Sequence, residues 1–145
     1  MIRARYRVRP GAQSSVVLIE ELRLGCGFGS GHERSIDVWA IEPNSAKGCI
    51  ATSYEIKVSR SDFKKDAANP LKQRGARLFS DHFFYVAPPG LIRPEEVPDW
   101  AGLLEPYLPP VSKHLRQVVP APLRSKDAPS WPLVVSMLRR EVVIL

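Results

Sequence analysis

Cysteine and long apolar runs are both scarce in this chain. The only cysteines are Cys26 and Cys49, and neither sits in a CxxC or Cys/His ligand pattern, so a zinc module and a disulfide scaffold are excluded. No stretch approaches the ~20 apolar residues of a helical membrane span. The basic opening MIRARYRVRP lacks the apolar stretch that follows it in a signal peptide. The expectation is a cytoplasmic protein with reduced thiols and no membrane partner. Acidic residues are also in deficit: 15 Asp and Glu against 21 Lys and Arg leave a net charge of +6. The basic residues are spread along the chain, which suits a folded surface that attracts phosphate-rich partners. Charge alone does not choose among DNA, RNA and a membrane surface.

What remains fits one domain. A chain of 145 residues with 44% hydrophobic and 25% charged content can bury a core without covalent staples. Most of its 14 prolines lie from Pro88 onward, so the last third is expected to be turns and short pieces over an earlier core. Residues 2–9 alternate, with Arg3, Arg5, Arg7 and Arg9 on one parity, which reads as a strand. Ser14 to Leu24 fits a helix or a buried strand equally well. The glycine-rich GCGFGSG that follows lacks the spacing of a phosphate-cradling loop.

Ile36 to Ile41 and Ile50 to Val58 read as two strands joined by the turn EPNSAKG. SRSDFKKDAAN reads as a helix capped by Ser59 or Ser61, and Asn69-Pro70 as the start of another running to about Phe79. His82 to Pro88 reads as a buried strand, and Trp100 to Pro106 as a short further one. Pro106 to Pro132 is expected to be a wrapping loop with one short helix at most. A last helix starts at Ser130 or Pro132 and runs to about Glu141, and the terminal VVIL suits either an open sheet edge or a second subunit.

The chemistry is concentrated in the hairpin. Residues two apart on a strand share a face, so Glu55 and Lys57 project together, with Tyr54, Ile56 and Val58 expected toward the core. A hairpin centred on Ala46 sets Asp37 opposite Glu55. One slipped position would turn every side chain over. Two adjacent carboxylates repel and favour a cation between them. Magnesium suits such a pair, and Lys57 can orient water or stabilise charge on a phosphate. Taken alone, each of these residues is equally at home on a solvated strand face.

The segments GHERSIDVWAI, YEIKVSRSDF, FFYVAPPGLI and VPDWAGLLE resemble, in that order, the small PD-(D/E)xK nucleases linked to DNA repair and phages. That resemblance spans roughly Val16 to Glu105. It implies an α/β, restriction-endonuclease-like fold, with a central mixed sheet flanked by helices. The family pattern is an early acidic residue, an aspartate on a strand, then Glu-x-Lys on the next strand followed by a helix. Asp37, Glu55 and Lys57 match its last three positions. The early acid is Glu21, with Glu20 as its competitor.

The implied activity is hydrolysis of DNA phosphodiester bonds, selective for structure rather than sequence. Asp37, Glu55 and Glu21 are the implied ligands of Mg2+, with Mn2+ as substitute. Arg34, Arg60, Lys64 and Lys72 are candidate DNA contacts, Asp62 is a further candidate for the rim, and a homodimer is compatible. The alternatives are a catalytically inactive nucleic-acid-binding protein and an accessory subunit on the same fold.

Overall fold

Apolar alternation and turn chemistry convert into one mixed sheet. The computed structural model describes residues 1–6, 16–25, 34–43, 46, 48–107 and 114–145. The element order is α1 (Ile2–Arg5), β1 (Val17–Arg23), β2 (Ser35–Glu42), β3 (Ile50–Ile56), α2 (Arg60–Ala67), α3 (Arg74–Leu78) and β4 (His82–Val86). After a 3-10 turn at Pro94–Glu96 come β5 (Gly102–Pro106), β6 (Leu115–Val119), α4 (Trp131–Leu138) and β7 (Val142–Ile144). Among the described residues, seven strands form a sheet in the order β6-β5-β4-β3-β2-β1-β7.

The strands β1, β2 and β3 form an antiparallel meander. The next two connections are crossovers: β4 runs parallel to β3, and β5 parallel to β4. A parallel pair needs a long connection, which here carries α2 and α3 across one face of the sheet. That face holds Phe63, Ala76 and Leu133 from α2, α3 and α4, packed with Trp39, Phe83, Tyr85 and Leu103. The opposite face holds Ile2 of α1 with Leu18, Val38, Tyr54 and Phe84. The core is therefore double-sided, and the central strands are covered on both faces.

Several expectations are corrected. Residues 2–5 form a short helix that buries Ile2, and not a strand; Arg7 and Arg9 lie outside the described residues, as does most of GCGFGSG. The Ser14 to Leu24 segment resolves as a strand from Val17. The second helix begins at Arg74, since residues 70–73 after Asn69 form turns. Between Pro106 and Pro132 the chain is more than a loop, because β6 pairs antiparallel with β5 and extends the sheet. The terminal VVIL takes the sheet edge, with β7 antiparallel to β1.

Candidate functional site

Hairpin register places the first two acids. Val38 pairs with Tyr54 and Trp39 with Ser53, the register of a turn centred on Ala46. One step further along the hairpin, Asp37 falls opposite Glu55, and there its carboxylate accepts the Ile56 N–H at 2.7 Å. That bond fixes Asp37 against β3 while leaving its other oxygen for a ligand.

Glu55 and Lys57 share a face, as strand geometry requires, but that face points inward. Glu55 is 7% and Lys57 2% exposed, while Ile56 and Val58 are 44% and 77% exposed. The expected inward apolar set is thus reversed beyond Tyr54. The cause is α2, which lies over the odd-numbered residues of β3 and offers them charged partners. Lys57 extends the β3–β4 ladder by donating its backbone N–H to the Val86 carbonyl at 2.9 Å. Its ammonium lies 2.9 Å from Glu55, 3.4 Å from Asp62 and 3.6 Å from Asp66.

The helix that supplies the last two acids starts where the sequence places it. Ser59 caps α2 by accepting the Asp62 N–H. Phe63 and Asp66 then face inward, three residues apart on one side of the helix. Asp66 is fully buried, yet its carboxylate accepts from Lys72 at 2.6 Å, the Tyr85 hydroxyl at 3.0 Å and the Gln73 amide at 3.0 and 3.1 Å. Burial alone would raise its pKa, but the Lys72 and Gln73 hydrogen bonds and the Lys57 charge hold it below the ordinary carboxylate value. Asp66, Gln73 and Tyr85 carry no sequence signal of a site, because a lone Asp on an FKKD helix reads as solvated.

Electrostatics at Glu55 run the other way. Its pKa is raised, first by burial, and the neighbouring Asp37 carboxylate adds to the rise despite the Lys57 hydrogen bond. Lys57 stays above its ordinary value: burial pulls it down, and Glu55, Asp66 and Asp62 together more than offset this. Glu55, Asp62 and Asp66 thus share Lys57, Lys72 joins Asp66, and Asp37 adds its charge beside Glu55. That surplus of negative charge suits a cation.

The early acid departs from this cluster. The pairs Glu20↔Val38 and Leu22↔Ile36 set Glu21 across from Asp37, in line with Glu55. Yet Glu21 takes the left-handed backbone region, with φ 50. Ile19 and Leu22, three residues apart, consequently face the same side of the sheet. The Glu21 carboxylate is 82% exposed and 4.0 Å from Arg140. Glu20 is paired with Arg3 at 3.0 Å. Among the described residues no group of three or more His, Cys, Asp or Glu is placed to hold a metal ion. Magnesium is usually held by one or two protein carboxylates, and Asp37 and Glu55 are the neighbouring pair that could serve it.

The candidate DNA contacts surround the cluster unevenly. Lys64 is exposed on α2. Arg60 bonds the Leu91 carbonyl at 2.9 Å and pairs with Glu96. Arg34 is exposed and donates to the Leu71 carbonyl, and half-buried Lys72 is committed to Asp66.

No protein-family model and no curated protein matches the chain. It is similar in structure to a protein of unknown function from Silicibacter pomeroyi, with a TM-score of 0.57 and 24% identity over 91% of this chain and 84% of that one. At that identity the likeness shows a shared fold alone. The class so defined is a mixed α/β protein with a seven-stranded sheet and helices on its faces. No helix among the described residues is long and apolar enough to cross a membrane.

Proposed function

We propose that this chain is a metal-dependent nuclease of the PD-(D/E)xK type that hydrolyses DNA phosphodiester bonds, on a restriction-endonuclease-like variant of the mixed sheet. The observation that carries the reading is the hairpin register, which sets Asp37 beside Glu55 with Lys57 on the same face, directly before a helix. This agrees with the order Asp, Glu-x-Lys, helix in the sequence pattern, without its early acid. Structure-selective cleavage in repair, recombination or phage DNA processing is the matching role, and a second copy would supply a second centre for cutting both strands at once.

Asp37 and Glu55 would hold Mg2+, or Mn2+ in its place. The ion supplies positive charge to the phosphate oxygens of the scissile bond. Lys57 contributes a fixed ammonium, held beside Glu55, which orients the attacking water or stabilises the charge that develops on the phosphate. Asp62, half exposed at 3.4 Å from that ammonium, borders the centre on the solvent side. Lys64, exposed on α2, and Arg60 on the same flank of that helix would meet the phosphate backbone, a contact that positions DNA without reading its sequence.

One observation favours a binding or accessory protein on the same fold: Glu21 is turned to solvent, so the third acid of the pattern is missing from the centre. A cleavage assay separates the two readings. Linear, flapped and four-way DNA are incubated with magnesium, manganese or chelator. Metal-dependent cutting of at least one substrate is expected, and binding without any cutting favours the scaffold.

A further inference from the structure

We infer that Asp66 is a positioning residue: it anchors the Lys57 ammonium at the centre when Glu55 is drawn to another partner. For its effect on rate this rests on the nuclease reading. For the position of Lys57 it rests on geometry alone.

Lysine has a flexible four-carbon stem, and its place is set by whatever charges hold its end. Three carboxylates are within reach here, and they are not equivalent. Glu55 is nearest, at 2.9 Å, but it is the group expected to turn toward a cation. Asp62, at 3.4 Å, is 50% exposed on the first turn of α2, where water weakens its pull. Asp66, at 3.6 Å, has no exposed surface. It cannot swing away, because Tyr85 of β4 and Gln73 and Lys72 of the turn before α3 all donate to it. Its carboxylate is a fixed charge, braced from the sheet and from the helical layer. When Glu55 lets go, the Lys57 end still has a stationary partner and stays where the phosphate arrives.

A double-mutant cycle tests this. Asp66→Asn keeps the shape and removes the charge, so kcat is expected to fall about 10- to 100-fold, the usual cost of losing a supporting partner. KM for DNA should move little. In a Lys57→Ala background the same substitution should cost nothing further, since its effect runs through Lys57. An equal loss in both backgrounds, or an unchanged kcat, would overturn the proposal. A second readout does not depend on cleavage: in a Glu55→Ala background, where Glu55 no longer holds the ammonium, 15N relaxation of the Lys57 Nζ group should report a rigid ammonium with Asp66 in place and a mobile one once Asp66→Asn is added. If the wild type cuts no DNA, the nuclease reading fails while this measurement still decides the anchoring. Should Asp66→Asn not fold, Tyr85→Phe keeps the charge and loosens it. A smaller gain in Nζ mobility is then expected, and no gain would count against Asp66 as the anchor.

Discussion

Two buried lysine–carboxylate contacts sit at opposite ends of the parallel β3–β4 pair, and they differ in how their charge is balanced. At the entry end, Asp81 accepts from Lys126 at 2.7 Å and from the Ala51 N–H at 2.7 Å. Its backbone accepts from Arg124 and donates to Ala51. One acid meets one lysine, and the result is a closed clamp that pins the segment after β6 to the sheet. At the exit end, Glu55, Asp62 and Asp66 surround Lys57, Lys72 reaches Asp66, and Asp37 adds its charge beside Glu55. Matched charge serves structure. Surplus negative charge at the end of a strand pair is the feature on which the proposed metal centre rests.

The largest expected effect breaks the exit end alone. Asp37→Asn or Glu55→Gln should abolish magnesium-dependent cleavage, because an amide lacks the charge that holds a hard cation. DNA binding, measured by fluorescence anisotropy, should survive or tighten. Lys57→Ala should slow cleavage by ~100-fold or more. Asp81→Asn should leave the rate untouched.

Stability should show the reverse contrast. Asp81→Asn takes from the partly exposed Lys126 its charged partner, at an expected cost of ~1 kcal/mol at neutral pH in urea unfolding. Burial alone would raise the pKa of Asp81, but the Lys126 bond, the Ala51 N–H and the Lys126 charge bring it below the ordinary carboxylate value. A depressed carboxylate pKa contributes stability that is full above the unfolded value, near ~4. That stability is lost as pH falls through the folded value. The gap between wild type and Asp81→Asn should therefore close in strong acid.

Effects of this size or smaller sharpen the picture at the rim. Ser59→Ala should cost ~1 kcal/mol in denaturant unfolding by uncapping α2. Lys64→Ala should weaken DNA binding evenly across sequences and make the slope of log affinity against log salt shallower by about 1. Arg60→Ala should change that slope less, since Arg60 already serves Glu96 and the Leu91 carbonyl.

The hairpin was legible because two β-prone runs flank EPNSAKG, which admits a turn centred on Ala46, and that centre gives the register. The α2 cap was legible too, from a serine before a short helical run. Other features were not, for physical reasons. Alternating arginines imitate a strand, yet Ile2 gains more by burying against β-strand residues from a helical turn. Covering both faces of β3 erases the inside–outside contrast that alternation reports, so the burial of Lys57 was invisible. The left-handed backbone at Glu21 has no signal in a non-glycine residue, and it turns that carboxylate away from Asp37. Asp66 depends on partners from β4 and from the turn before α3, contacts that only the fold assembles.

Manganese titration followed by electron paramagnetic resonance, with an uncleavable phosphorothioate duplex present, compares the two ends directly. Wild type and Asp81→Asn should each bind manganese with similar affinity, and Asp37→Asn should lose that binding while still holding the duplex. Equal manganese binding by Asp37→Asn and wild type, or no binding by either, would contradict a metal centre at Asp37 and Glu55.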